Sequence, residues 1–581
     1  MRKIQKTTLF LAGLMMASTT CVACSGGVQY APEEKADTAY LYVQCSQGGL
    51  GKEYLDKLAT AFEEKFTDNA SYFAEGKTKV DVVVSESKNA VGPNLLTSIA
   101  NSDQNIFVAE RTYYFDFLAQ DLLYDLTDIT KATLEDGTTI EGKLFDDQKE
   151  SLTVKNGKYY ALPTFSGFTG LTYDAEVFED NYLYFADDVN DCNKPYATSS
   201  YTGKAYTGRG FVWDENSKKS TGPDGQYNTY DDGLPSSYEE FFYMMDALKE
   251  TATPLIWTGN SMHYTNYLFQ ALLCANSTKT EFVSNFTFDS KGEKIKVVDG
   301  FDAQNEPIIK EVVITDDNGY ETLQQVNYYK ALKFLYHLFS NEEYYDSRSA
   351  GQSLSNTSAQ KIFEESGPNP KTKDIAMIIE GNYWYNEAAS ELKESEGKYA
   401  NAKNRNFRFM PLPAKEYGTV EENEGTTITL ADSLDYYLVA NNNIKGNTEK
   451  KKLVEEFVKM FYLDESLQQT NVTTGMPLAL KYDLKKEQYD SLDNFPQSLW
   501  DIYKLSKDSD SYVTPLSANP IFYNHTDKFC FKSTGTRFHS VIGGIERANT
   551  YTAFMEYDAT AKSYFEGMKI GQTNWNSNYL K

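Results

Sequence analysis

Two stretches of the chain set aromatic planes beside hydrogen-bonding groups. Trp257-Thr258-Gly259-Asn260, with His263 and Tyr264 close behind, follows the apolar run Pro254-Leu255-Ile256. Glu380-Gly381-Asn382-Tyr383-Trp384-Tyr385 follows the apolar run from Ile375 to Ile379. An indole or phenol face stacks on the C–H surface of a ring, while amides, carboxylates and hydroxyls pair with its hydroxyl groups. That mixture suits a sugar. A single aromatic at either place reads first as core packing, a reading that the matched settings of Trp257 and Trp384 weaken for these two. Gln44, Ser46 and Gln47 stand in the same relation to an earlier apolar run, as do Glu110, Arg111 and Tyr113.

A second constellation is acidic. Gly222-Pro-Asp224-Gly-Gln-Tyr-Asn228-Thr-Tyr-Asp231-Asp232-Gly233 gathers carboxylates and turn glycines, and hard Ca²⁺ takes such oxygen ligands. Asp224, Asn228, Asp231 and Asp232 are the candidate ligands of a structural calcium. The EF-hand spacing is not matched, because its bidentate Glu is missing. A solvated acidic turn is the other reading, and no cofactor is required.

Signals for catalysis fail on spacing. Gly48-Gly49-Leu50-Gly51-Lys52 hints at a phosphate loop, but a Walker loop needs Gly at Ser46 and Ser or Thr at Glu53. The dinucleotide fingerprint would need a third glycine at Tyr54. His263, His337, His525 and His539 form no metalloprotease pair. His337, beside Lys330 and Lys333, is expected on the exposed side of its helix, and no Gly-x-Ser-x-Gly elbow exists.

The elements that must position these groups follow from periodicity. Ala39–Val43, Val80–Val84 and Ile106–Val108 read as strands. Between them, Leu55, Leu58, Phe62 and Phe66 and then Leu95 and Ile99 mark helices. This β-α-β-α-β order implies a parallel sheet with helices on its faces. A second unit of this kind starts at a capping box of Ser236 and Glu239, with Phe241, Met245 and Leu248 inward. It continues through a strand at Pro254–Ile256, a helix bearing Tyr328, Ala331, Leu332, Leu335 and Phe339, and a strand at Ile375–Ile379. Later, Tyr436–Val439 reads as a strand, and Asn447 caps a helix with Leu453, Phe457 and Phe461 inward. Open α/β sheets bind ligands beyond the carboxyl ends of their strands, where the two aromatic stretches lie. Residues about 181–234 and 279–325 read as insertions, the second with a hairpin pairing Lys294–Val298 and Ile308–Ile314.

The ends and the composition bound the setting. Arg2, Lys3 and Lys6 precede a short apolar stretch from Leu9 to Ala17, and Val22-Ala23-Cys24-Ser25-Gly26-Gly27 follows. That pattern resembles a bacterial lipoprotein processing site, with residues 1–23 the signal, Cys24 the lipidated residue and 24–37 a tether. A formal charge of −27, which loss of the leader makes more acidic still, argues against nucleic acid and anionic membrane as partners. Cys45, Cys192, Cys274 and Cys530 are scattered, and their pairing is not fixed by sequence. Forty-four tyrosines give many amphipathic planes.

Several segments in order carry a family resemblance: the Cys24-Ser-Gly-Gly end, Tyr159-Tyr-Ala-Leu-Pro through Gly170-Leu-Thr-Tyr-Asp174, Thr253-Pro-Leu-Ile-Trp-Thr-Gly259, Ala376-Met-Ile-Ile-Glu-Gly-Asn-Tyr-Trp384, Phe409-Met-Pro-Leu-Pro413 and Thr473-Thr-Gly-Met-Pro477. Each alone is weak. Together they resemble the family 1 extracellular solute-binding proteins, the maltodextrin-binding-like lipoproteins of carbohydrate ABC importers. The resemblance implies a two-lobed, type II periplasmic-binding-protein-like α/β fold with parallel-rich sheets and a multi-stranded hinge. It places one lobe at 38–163 and 407–462 and the other at 164–406 and 463–581. It implies a monomer on the extracytoplasmic face, held to the membrane only by its lipid, that captures an oligosaccharide and delivers it to a permease without catalysis. Trp384, and less directly Trp257, would stack on the sugar, with Tyr383, Asn382, Glu380, His263, Asn260, Gln47, Phe168 and Arg111 around it. Two alternatives stay open. One is a glycoside hydrolase, whose paired carboxylates the many acids could supply. The other is a peptide-binding lipoprotein, using Arg111 with Glu110 or Glu380 for the chain ends.

Overall fold

The computed structural model describes residues 34–46, 49–87, 93–110, 114–153, 155–165, 167–351, 353–369, 371–400, 402, 405–413, 415–416, 430–432, 436–508, 513–515 and 550–578. The expected leader, Cys24 and most of the tether lie outside these residues. Strands β1 (Thr38–Ser46), β2 (Lys79–Ser87), β3 (Ile106–Glu110) and β4 (Leu162–Pro163) come first, and β5 (Thr169–Asp174) follows. Short strands β6 (Phe185–Ala186), β7 (Cys192–Asn193) and β8 (Gly210–Val212) precede β9 (Thr253–Ile256). Then come β10 (Lys294–Phe301), β11 (Pro307–Val313), β12 (Ile375–Gly381), β13 (Phe407–Met410), β14 (Leu430–Asp432), β15 (Tyr436–Ala440) and β16 (Val513–Pro515).

Two main sheets result. The first has the order β2-β1-β3-β15-β4 and the second β13-β5-β12-β9. In the first, β1 runs parallel to β2 and β3, while β15 returns antiparallel to β3. In the second, β9 and β12 are parallel, and β5 lies antiparallel between β12 and β13. Each sheet therefore has a parallel part, built by helical crossovers, and antiparallel strands where the chain enters or leaves the lobe. The chain passes from the first sheet to the second between Pro163 and Thr169.

Packing explains the elements. Alternate residues of β1 reach both faces, and Tyr40, Leu41, Tyr42 and Val43 are all buried, as a central strand covered on both sides requires. The helix Glu53–Lys65 turns Leu55, Leu58 and Phe62 inward, and Phe62 meets Phe457 of the helix Thr448–Phe461 edge-on at 5.5 Å. Asn447 caps that second helix by accepting the Lys450 amide hydrogen at 3.1 Å. In the other lobe the helix Tyr238–Thr251 buries Phe241, Met245 and Leu248, and Phe241 meets Phe334 of the helix Val326–Phe339 at 4.9 Å.

Several expectations need revision. The cap of the helix Tyr238–Thr251 is Ser237, which accepts from the Glu240 amide; Ser236 instead donates its hydroxyl to the Gly222 carbonyl. Strand β13 belongs to the second sheet, so the chain returns to the first lobe after Met410 rather than at Phe407. It also stays there past Tyr462, since Leu467, Met476, Leu478, Leu480 and Tyr482 are buried in the first lobe's core. The helix Asn494–Asp508 then straddles both. Trp500 and Tyr503 face the first core, while Phe495, Leu499 and Ile502 join a junction cluster with Phe168, Trp384 and Phe407. His337 is not on an exposed face. Its ring lies 4.4 Å from Phe242 and 5.4 Å from Tyr201, and its Nε2 is buried without a partner. Tyr201 of the first insertion folds over that helix face, which the local Lys pattern did not reveal.

The first insertion is a three-stranded sheet, β6-β8-β7. The second holds the β10–β11 hairpin, pairing Lys294 with Val313, but it starts with a helix, Lys279–Thr287, capped by Thr278 and Glu281. Cys45, Cys192 and Cys274 are free thiols, and Cys530 lies outside the described residues. Among the described residues no helix is long and apolar enough to cross a membrane.

Candidate ligand-binding site between the lobes

The carboxyl ends of β9 and β12 bring one polar cluster together. Glu380, the penultimate residue of β12, has no exposed surface. Its Oε1 accepts from Gln360 Nε2 at 3.1 Å, and the same amide nitrogen donates to Glu387 Oε2 at 2.9 Å. Two carboxyl groups thus share one amide. Burial first, and then the charge of Glu387, push Glu380 up to about 8, against the hydrogen bonds of Gln360, the Gly381 N–H and Tyr264. Burial also raises Glu387. At neutral pH Glu380 therefore keeps its proton and works as a neutral donor and acceptor. Tyr264 stands over this pair from the helix Met262–Ala275, with Tyr267 one turn on and the two rings 5.5 Å apart. Burial, then Glu380 and Glu387, hold the Tyr264 phenol protonated.

The turn that follows β1 meets this segment from the first lobe. Ser46 is buried and its Oγ lacks a partner, as does Gln44 Oε1. The turn after it carries Gly49 and Gly51 with φ of +48° and +63°, a left-handed geometry open to glycine. Tyr383 closes against this turn: a Cβ on Gly49 would lie 3.2 Å from Tyr383 Cβ. Tyr383 follows a strand of the second sheet, yet it packs on the core of the first. Asn386 Nδ2 donates to the Leu50 carbonyl at 2.9 Å.

The predicted residues divide. Glu380 and Tyr383 sit in this cluster. Asn382 is buried and clamps Phe168: its N–H donates to the Phe168 carbonyl at 2.9 Å, and its Oδ1 accepts the Phe168 N–H at 3.2 Å. Phe168 itself is fully buried edge-on to Phe409. The two tryptophans are core rather than open stacking faces. Trp384 has no exposed surface and is boxed by Phe363, Phe407 and Phe495 at 5.8, 5.2 and 5.2 Å. Trp257 packs on Phe339, Tyr345 and Tyr551. An indole with aromatic neighbours on several sides gains more from burial than an open strand end would give it. Asn260 is exposed just before the helix that carries His263, whose side chain lies outside the described residues, as do Gln47 and Arg111. Gln360, Glu387, Asn386 and Tyr267 are additions. Only Tyr264 and Tyr267, three apart on one helix, left a trace in sequence.

The acidic loop is held together by its own hydrogen bonds. Asp231 accepts from the Asp224 N–H at 2.9 Å and from Thr229 Oγ1 at 2.8 Å. Asp232 accepts from the Asn228 and Thr229 amides at 2.9 and 3.2 Å. Asp231 and Asp232 thus help to fold the turn, while Asp224 Oδ2 is buried without a partner. Among the described residues no group of three or more His, Cys, Asp or Glu has metal-holding geometry.

No protein-family model matches the chain, and no curated protein matches its sequence. Solved structures do match its shape. A chitin oligosaccharide binding protein superposes with a TM-score of 0.52 at 15% identity, covering 94% of this chain and 100% of that one. The apo form of RafE from Streptococcus pneumoniae gives 0.51 at 11%, covering 94% and 99%. RafE in complex with raffinose gives 0.51 at 10%, covering 92% and 99%. Across nearly their whole length, the fold of this chain is that of two-lobed, periplasmic-binding-protein-like proteins.

Proposed function

We propose that this chain is the substrate-capturing protein of a bacterial ABC importer, binding a carbohydrate between its lobes without catalysis. The observation that carries the reading is the strand-end cluster of Glu380, Tyr264 and Tyr383, with Tyr383 against the turn that follows β1. A protonated carboxyl, phenols and unpaired hydroxyl and amide oxygens offer both donors and acceptors with no net charge demand, as a neutral polyol requires. The fold supports it, since the similar structures include an oligosaccharide-binding protein and a raffinose complex. Asn260 and His263 from the second lobe, with Gln47 and Arg111 from the first, complete the residues proposed to meet the ligand. The leader and Cys24 support a lipid anchor on the extracytoplasmic face, where a monomer would hand its sugar to the permease.

A thermal-shift screen of protein lacking residues 1–24, against mono- and oligosaccharides and peptides, tests this. A ligand at a hundred times its dissociation constant adds about 2.7 kcal/mol. Stabilisation by a carbohydrate without product formation supports the reading. Stabilisation by peptides alone rejects it.

A further inference from the structure

The interlobe contact is built on bare backbone. Gly49 has no side chain where Tyr383 comes nearest: an added Cβ would meet Tyr383 Cβ at 3.2 Å, its ring Cδ2 at 3.4 Å and its carbonyl oxygen at 3.5 Å. Its φ of +48° is itself a conformation that side chains rarely adopt. The next residue, Leu50, is buried in the first lobe and lies between two left-handed glycines, and its carbonyl receives the Asn386 amide at 2.9 Å. Tyr383 precedes, and Asn386 lies within, the short helix Trp384–Glu387 of the second lobe. That helix cannot rotate freely there, because Trp384 is locked among Phe363, Phe407 and Phe495 and Tyr385 donates to Asp493 at 2.7 Å. The contact between the lobes is thus a rigid tooth meeting a notch.

From these contacts we infer that Tyr383 and Asn386 form a latch on the Gly49–Gly51 turn, holding the lobes together before any ligand arrives. This rests on the two-lobed binding reading above but not on the identity of the ligand. The latch and the polar cluster share one segment, Glu380–Glu387. A ligand that settles against Glu380 therefore meets a lobe arrangement already prepared. Affinity scales with the population of the competent closed form, and a prepaid closure raises it without any added ligand contact. The latch residues then set affinity through the lobe equilibrium, and Gly49 does so although it has no side chain to offer a ligand.

Small-angle X-ray scattering on the ligand-free protein lacking residues 1–24 tests this directly. The wild-type curve is expected to match the lobe arrangement in which Tyr383 meets Gly49. Gly49→Leu, which fills the notch, and Asn386→Ala, which removes the hydrogen bond, are each expected to shift the radius of gyration upward with unchanged far-UV circular dichroism. Should Gly49→Leu misfold, Asn386→Ala alone decides, because its side chain is only partly buried. With raffinose or a chitin oligosaccharide as probe, where one binds, affinity should fall about tenfold in Asn386→Ala, the loss expected for one hydrogen bond. An open wild-type curve, or variants whose curves overlay the wild type, overturns the latch. Because scattering needs no ligand, failure of every sugar to bind would reject the carbohydrate reading and leave the latch result standing.

Discussion

Arg209 and Glu240 form a buried two-point ion pair, with Nε and Nη2 of the guanidinium each 2.8 Å from a carboxylate oxygen. Arg209 also donates to Asp187 at 3.0 Å and to Ser236 Oγ at 2.8 Å. The pair ties the residue just before β8 of the first insertion to the helix Tyr238–Thr251, and Glu240 has no exposed surface. Removing one partner would strand the other charge in the interior, a loss of about 3–5 kcal/mol. Arg209→Ala is expected to lower the urea midpoint strongly and Glu240→Ala similarly. The double variant Arg209→Met, Glu240→Leu should recover most of the loss, as denaturation curves of all three will show.

His337 makes stability fall in acid. Burial among Phe242, Tyr201 and Tyr344 lowers it from 6.5 to about 4, against a weaker opposing pull from Asp246. The unfolded chain therefore binds a proton that the folded chain refuses. Its contribution is full above pH 6.5 and is lost as pH falls toward 4. The size is up to about 3 kcal/mol, from the pKa difference. His337→Phe is expected to flatten the unfolding midpoint between these pH values, measured by thermal denaturation in a pH series.

Glu380 acts in the opposite direction. Its folded value of about 8 lies above the ordinary 4.5, so the folded chain holds a proton that the unfolded chain releases. The contribution is full below pH 4.5 and is lost as pH rises toward 8. Glu380→Gln keeps a neutral hydrogen-bonding group at the same place. This variant is expected to lose less stability than wild type between pH 6 and pH 9, a difference that the same denaturation series would resolve.

Local patterns made much of this fold legible. The β-branched run of β2, the inward row of the helix Glu53–Lys65 and the Asn447 cap each depend on neighbours in sequence, and each reads directly. The hairpin of β10 and β11 did so as well. What failed was long-range. Whether an aromatic at a strand end faces a cleft or a core depends on what packs over it. Trp384 is enclosed by residues from 363, 407 and 495, far apart in the chain. The same holds for Gln360, which reaches Glu380 and Glu387 from another helix. In the acidic loop the local bonds are legible only once the turn is seen, since Asp232 accepts from backbone amides three and four residues away.

Adjacent residues Tyr383 and Trp384 should separate binding from folding. Trp384 is sealed in the junction cluster, so Trp384→Ala opens a cavity that costs about 3–5 kcal/mol and lowers the denaturation midpoint. Any effect on ligand would follow from that loss. Tyr383 is only partly buried and bridges the lobes beside Gly49. Tyr383→Ala is expected to leave the ligand-free midpoint within about 1–2 kcal/mol of wild type, in the ordinary range for such a substitution, while weakening carbohydrate binding by up to about tenfold, through the lost packing between the lobes and against the ligand. Titration calorimetry beside denaturation curves distinguishes the two. A Trp384→Ala protein of wild-type stability that no longer binds would return the stacking role to the tryptophan and displace Tyr383 from the proposed site.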